Sequence, residues 1–278
     1  MLEQFRDRIL RESPRLSLQS EFRFACHSNV PCFGRCCADV NIFLTPYDVL
    51  RMKNALGIPS SEFLERYTIP LMLEAGQLPV VVLKMQDDDE KKCPFVSDQG
   101  CTMYDDRPWS CRMYPLGLAS SKVEGDEGEE FCFVVEEDDS LCQGFKEDTE
   151  WTVESWFDGQ DVGVFNQKSE SYMQLTLHPY LLKNKELDKK KVKMFFKACY
   201  DLDGFREMVF ESTLFDRFEV SDEVKEALRT DDEALLEFAV SKWLRFALVR
   251  EDTRIVRDEE LERGAKSLGW TVEEEEIS

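Results

Sequence analysis

The sequence predicts an α+β protein in which an irregular cysteine-rich domain with short strands and helices precedes an α-helical domain. Nine of the ten cysteines lie between residues 26 and 142, and only Cys199 stands apart. From residue 149 onward the apolar residues recur mainly at helical spacing. We therefore expect a metal-binding cysteine-cluster domain at residues 1–148 and an α-helical domain at residues 149–278.

Local signals define the first elements of the chain. Residues 1–12 are predicted to form an amphipathic helix, and residues 19–25 form an extended lead into the cysteines. Thr45 is a good N-cap, Pro46 suits the first helical position, and Gly57 is placed to end the helix. These signals predict a helix that follows the first cysteine group directly.

The remainder of the cysteine-rich part reads as one more helix, several strands and irregular chain. A second short helix should begin at Ser60 or Ser61. Strand signals are present at residues 79–83, 116–119 and 131–135. A turn at residues 97–100 predicts a chain reversal that brings Cys93 and Cys101 together. Two prolines predict that residues 105–115 are irregular.

The second half shows helical patterns. Apolar residues at helical spacing predict helices at residues 192–199 and 231–250. A further helix should begin after the N-cap Ser221 and run through Arg229, and one more is predicted at residues 258–268. The Glu-rich end from residue 273 is expected to fray.

The charge balance restricts the partners that we expect. The formal net charge is −22, which disfavours binding to nucleic acid or to an anionic membrane surface. The acidity serves solubility or docking to a basic protein partner. The N-terminus lacks the apolar core of a signal peptide, and no apolar run reaches the roughly 18 residues of a membrane span. We predict a cytoplasmic protein of undetermined oligomeric state.

In the cytoplasm, clustered cysteines favour metal or redox chemistry over structural disulfides. Thiolate is a soft ligand that suits zinc or iron–sulfur clusters. Four thiolates satisfy one tetrahedral zinc or one four-iron cluster. The nine clustered cysteines exceed that need, so the sequence leaves open two centres or one centre beside packed thiols. A thiol–disulfide relay is a further alternative.

The adjacent pair Cys36 and Cys37 bears on this choice. Neighbouring side chains in extended chain point to opposite sides, so both rarely reach one ion. The pair therefore favours an iron–sulfur cluster or a two-metal site over one mononuclear zinc. The common zinc-ribbon and ferredoxin cysteine spacings are absent from the sequence.

Other residues near the cysteines have plainer interpretations beside functional ones. His27 is a possible ligand, although a lone histidine more often is not one. Cys132 is as well explained by a core thiol as by a ligand, and Cys199 completes an apolar helical stripe. Four arginines either offset thiolate charge or pair with carboxylates: Arg35, Arg51, Arg107 and Arg112. An aromatic jacket around Cys111 is expected from Tyr104, Trp109 and Tyr114.

A set of motifs resembles a known family. The stretches that carry the resemblance are Cys26/Cys32/Cys36/Cys37, Ile42-Phe43-Leu44-Thr45-Pro46-Tyr47-Asp48, Cys93-Pro94-Phe95, Gly100-Cys101, Arg107-Pro108-Trp109-Ser110-Cys111-Arg112-Met113-Tyr114-Pro115 and Cys142-Gln143-Gly144. They resemble the CxxCxxCC proteins, also called the YkgJ family of cysteine cluster proteins, over roughly residues 22–145. The family's opening spacing is stretched here to Cys-x5-Cys-x3-Cys-Cys.

The resemblance implies chelation of zinc or iron. The ligands that it implies are Cys26, Cys32, Cys36, Cys37, Cys93, Cys101, Cys111 and Cys142, and it leaves out Cys132 and Cys199. Because the family includes a flagellin lysine N-methylase, a redox or methyl-transfer enzyme acting on a protein is one alternative. The chain lacks the Gly-rich turn of a dinucleotide-type fold. A zinc-stabilised interaction scaffold is the other alternative, and no catalytic residue is nominated.

Overall fold

The computed structural model describes residues 9–72, 78–120, 130–135, 142–183, 187–216, 218–253 and 255–256. The α+β class is confirmed, because short paired strands dominate the cysteine-rich part and helices dominate the chain after residue 152. Residues 9–12 are helical (α1), whereas residues 1–8 of the predicted first helix lie outside the described residues. The predicted helix at residues 258–268 and the Glu-rich end also lie outside them.

The predicted helix after the cysteine loop is confirmed as α2, Pro46–Leu56. Thr45 and Asp48 form a capping box, in which the side chain of each accepts from the backbone N–H of the other. Gly57 ends the helix in the left-handed region, at φ 65°. The second predicted helix follows as α3, Ser60–Tyr67.

The strands pair over short, mostly antiparallel registers. The three-stranded sheet has the order β2-β4-β3, formed by Phe43–Leu44, Val80–Leu83 and Thr68–Leu71. Hairpins are formed by β5 (Val96–Ser97) with β6 (Gly100–Cys101) and by β7 (Leu116–Ser120) with β8 (Glu130–Val134). The first strand, β1 (Glu21–Arg23), pairs with the distant β9 (Glu150–Thr152).

The prediction of irregular chain at residues 105–115 is wrong. A short 3₁₀ turn, Tyr104–Asp106, is followed by helix α4, Trp109–Met113. The prolines permit this helix because Pro108 occupies its N-cap, where an N–H group is not needed inside the helix. Cys111 is therefore carried by a helix.

Helices occupy most of the described chain after residue 152. They are α5 (Val153–Gly159), α6 (Val162–Thr176), α7 (Pro179–Lys183), α8 (Lys189–Cys199), α9 (Leu202–Glu211), α10 (Asp222–Thr230) and α11 (Asp232–Glu237). Ser221 caps α10 as predicted. The apolar segment at residues 231–250 is helical, but it continues from α11 as a π-helix, Phe238–Val249. The last strands, β10 (Glu219–Val220) and β11 (Ile255–Val256), pair in parallel.

Two apolar clusters hold the fold together. The main core combines residues of α2 and β4 with residues of the later helices, such as Phe165, Phe195 and Leu244. The smaller second core is built around Phe24 and Trp156. Both cores draw on residues from each side of position 148, and the boundary placed there stays a prediction. In the described part of the chain, no helix is long and apolar enough to cross a membrane.

Candidate metal centre

The first group of cysteines is gathered where the cysteine loop meets the turn at Cys142. The backbone N–H of Gln143 donates to Sγ of Cys32 at 3.2 Å. One residue before Cys26, the N–H of Ala25 donates to the carbonyl of Gly144 at 3.1 Å. These bonds bring segments more than a hundred residues apart into direct contact.

The loop between Cys32 and Cys37 is a series of tight turns. The N–H of Arg35 donates to the carbonyl of Cys32 at 2.9 Å, and Gly34 adopts a left-handed φ of 77°. A 3₁₀ turn over Arg35–Cys37 follows. Only glycine adopts this φ at little cost, so Gly34 permits the turn that leads from Cys32 to the adjacent pair Cys36 and Cys37.

The second group forms around Cys93. Its N–H donates to the carbonyl of Cys37 at 2.7 Å, which fixes Cys37 beside it. The β5–β6 hairpin then pairs Val96 with Cys101. The predicted reversal that brings Cys93 and Cys101 together is confirmed.

Cys111 reaches this second group through a buried carboxylate. Oδ1 of Asp48 accepts the N–H of Trp109 at 2.8 Å, which ties the start of α4 to the N-terminus of α2. Burial raises the pKa of Asp48 to about 6, against the lowering effect of its hydrogen bonds. This bond was missed by the sequence reasoning because it joins residues 61 positions apart.

Electrostatic coupling among the thiols separates the same two groups. Burial, together with the charges of Cys36, Cys32 and Cys142, raises the pKa of Cys26 to about 11. We call these four residues the first cysteine set.

The second cysteine set consists of Cys37, Cys93, Cys101 and Cys111. Burial, then the charges of Cys93, Cys101 and Asp48, raise the pKa of Cys111 to about 12. The pKa of Cys37 is raised by its hydrogen bond with Cys36, then by burial, and further by Cys111 and Cys93. Cys36 and Cys37 are thus the point where the two sets meet.

An aromatic residue of the loop connects the two sets. A Cβ added at Gly100 would lie 3.0 Å from the ring of Phe33, at a residue whose φ is +107°. Phe33 therefore packs on the hairpin that carries Cys101. The glycine provides both the backbone conformation and the space.

The arginines serve mainly as structural donors. Arg112, which is 2% exposed, donates to the carbonyls of Arg107, Asp105 and Gln160. Arg51 donates to Asp106 at 2.6 Å. The charge of Arg107 acts on the site by lowering the pKa of Cys111, although burial outweighs it.

The remaining candidates lie at the edge of the site. His27 contacts Glu147 through Nε2 at 3.3 Å and accepts from the N–H of Asn29 through Nδ1, so both ring nitrogens have other partners. Cys199 is buried in the main core, which confirms the core interpretation. Cys132 lies in β8 and packs against the second core.

The expected aromatic jacket is wrong for one of its members. Tyr104 is 57% exposed and stacks under the guanidinium of Arg107. Trp109 and Tyr114 do pack against the apolar clusters, at the helix that carries Cys111 and directly after it.

The donor chemistry of the two sets fits zinc or iron. All eight residues offer sulfur, and none of the chain's ten cysteines forms a disulfide. Within the described residues, no three Cys, His, Asp or Glu side chains are yet arranged to hold a metal ion. The backbone therefore groups the thiols, and side-chain movement would have to draw the sulfurs to the approximately 2.3 Å of a zinc–sulfur bond.

A cleft elsewhere on the surface has a different character. It has a volume of about 530 Å³, and its lining is Leu50, Arg51, Asn54, Ala55, Asp106, Thr230, Asp231, Asp232 and Glu233. Several of these carboxylates are already paired, as Asp232 is with Lys53 at 2.8 Å. No cysteine is among these lining residues, so the cleft has no described link to the thiols.

Comparison with known proteins agrees with the cysteine pattern. No curated protein and no solved structure matches the chain. Residues 25–143 match the family model CxxCxxCC, described as "Putative zinc- or iron-chelating domain". This segment contains all eight cysteines of the two sets.

Proposed function

We propose that this is a cytoplasmic metal-binding protein whose eight matched cysteines chelate an iron–sulfur cluster or zinc. The observation that carries the proposal is the gathering of distant thiols by backbone contacts, as in the bond from Cys93 to Cys37. Core packing alone does not explain this arrangement, because Cys26 and Cys36 are exposed. Exposed clustered thiols without disulfides suit a thiolate metal site.

The chain supplies three things to the metal. It provides thiol ligands, which must lose their protons on binding. It holds them on turns fixed by Gly34 and Asp48. It also buries Cys32, Cys93 and Cys142, which are 5–8% exposed, and thereby limits the access of water.

Elemental analysis with a visible absorption spectrum on anaerobically purified full-length protein tests the proposal. Iron with acid-labile sulfide and a brown colour that bleaches on reduction would identify a cluster. Colourless protein containing zinc would identify a zinc site. Metal-free protein from this preparation would contradict the proposal. The Cys199→Ser variant is a control that should keep its metal, since Cys199 lies in the main core.

A further inference from the structure

We propose that the eight cysteines form two separate four-thiolate centres, one from the first cysteine set and one from the second. This inference rests on the proposed metal chelation and specifies how the ligands are divided. Eight thiols divided equally provide four sulfur ligands for each of two closed tetrahedral sites.

Backbone contacts define the first centre independently of any metal. Cys32 receives the N–H of Gln143 on its sulfur, directly beside Cys142. Ala25 is bonded to Gly144, which brings Cys26 to the same turn. Cys36 follows directly after Arg35, whose N–H donates to the carbonyl of Cys32 across the turn at Gly34.

Different contacts define the second centre. The bond from Cys93 to the carbonyl of Cys37 and the β5–β6 pairing bring three of its members together. Asp48 positions the fourth, Cys111, by holding the first residue of α4. The hydrogen bonds and strand pairing just named involve no residue of the Cys142 turn.

The two sets have members anchored in different apolar clusters. Cys93 is part of the main core, and Cys37 and Cys101 pack against it. Cys142 is part of the second core. The two clusters adjoin at Trp109, which packs against both, so Cys93 and Cys142 are anchored in neighbouring but different clusters.

The adjacent pair explains how one loop serves both centres. The 3₁₀ turn over Arg35–Cys37 places the two thiols next to each other, and their side chains share a hydrogen bond. Cys36 is exposed, whereas Cys37 is half-buried and its carbonyl accepts the N–H of Cys93 at 2.7 Å. The peptide between them therefore links the two centres.

Titration of the metal-free full-length chain with Co²⁺ alone, under anaerobic reducing conditions, tests the division. Thiolate-to-cobalt charge-transfer absorption should saturate at two Co²⁺ per chain. The double variant Cys26→Ser/Cys142→Ser should saturate at one four-thiolate Co²⁺, and so should Cys93→Ser/Cys101→Ser. The mixed double variant Cys26→Ser/Cys93→Ser should retain no four-thiolate site. Cys132→Ser should behave as the unmodified chain.

The outcomes separate the two proposals. A chain that binds no Co²⁺ overturns the proposed metal chelation itself. Saturation at one Co²⁺, or equal behaviour of the same-set and mixed variants, overturns only the two-centre division. If a double variant fails to fold, Cys26→Ser alone keeps the test, because Cys26 is exposed. X-ray absorption should then show the mean sulfur number falling from four to about 3.5 per metal.

Discussion

The close approach of Gly144 to the opening of the cysteine loop gives a quantitative test of the fold at the site. A Cβ at residue 144 would lie 2.7 Å from the carbonyl oxygen of Ala25 and 2.7 Å from the ring of Phe24. Ordinary contact begins near 3.4 Å, so the backbone at Ala25 would have to move by about 0.7 Å. That movement opposes the hydrogen bond from Ala25 to Gly144.

Overpacking of this kind costs about 1–3 kcal/mol, and weakening one hydrogen bond adds roughly 1 kcal/mol. We therefore expect Gly144→Ala to lower the free energy of unfolding by about 2–4 kcal/mol. The same change separates Cys26 from Cys142, so it should also weaken one of the two Co²⁺ sites and leave the other intact. Urea unfolding and Co²⁺ titration measure the two effects.

Gly163→Ala is the matched control. Residue 163 lies in α6, and no atom lies within 4 Å of the position that its Cβ would take. This variant should be as stable as the parent or more stable by up to about 1 kcal/mol. If Gly144→Ala unfolds at the same urea concentration as Gly163→Ala, the packing of the Cys142 turn against Ala25 is not as described.

Three further substitutions, each measured by urea unfolding, test other contacts that hold the fold around the cysteines. Asp48→Ala should cost about 2–4 kcal/mol because two partly buried backbone N–H groups lose a charged acceptor; a loss below 1 kcal/mol would contradict this. Lys53→Met should cost about 1–3 kcal/mol at pH 7, because Asp232 loses one of its two cationic partners and keeps only Arg206. Burial raises the pKa of Asp232, but hydrogen bonds from Lys53 and Arg206 lower that pKa overall. The ion pair therefore stabilises the fold above the ordinary carboxyl pKa. The stability lost in Lys53→Met should accordingly shrink as the pH falls below about 4. Gly34→Ala should cost about 1–2 kcal/mol, since its φ is left-handed, and an unchanged midpoint would refute that turn.

The elements predicted correctly from sequence are those whose signals are local. The limits of α2 follow from Thr45, Pro46 and Gly57, each acting within a few residues. The β5–β6 reversal likewise depends on its own turn. By contrast, α4 was missed because its five residues are too few for a periodic pattern and its acceptor, Asp48, is remote in sequence.

Long-range pairing could not be read from the sequence either. The pairing of β1 with β9 joins Phe22 to Trp151, and nothing in either segment specifies the other. The π-helix was missed for another reason. The apolar side at residues 231–250 predicts a helix, but that pattern does not distinguish an α-helical repeat from the wider π repeat over Phe238–Val249.

The contrast between local signals and long-range contacts applies to the cysteine site as well. The sequence supplies the eight cysteines and raises the question of one centre or two through the adjacent pair. It does not supply their grouping, because this depends on which segments meet. Cys32 meets the Cys142 turn, and Cys37 meets Cys93. The division is thus a property of tertiary contacts alone.

The residues that accompany the cysteines in the motifs gain a physical role from this arrangement. Asp48 joins the start of α2 to α4, the helix of Cys111. Gly144 has no side chain and so leaves space for Phe24 and Ala25, which precede Cys26. Gly100 gives Phe33 room to pack beside Cys101. Gly144 and Gly100 each lie between two segments that carry cysteines, Asp48 holds the helix of Cys111, and none of the three needs to touch a metal. Their substitution should therefore lower the affinity for metal by displacing the segments that carry the thiols. Any metal that remains bound should keep the same four-thiolate spectrum.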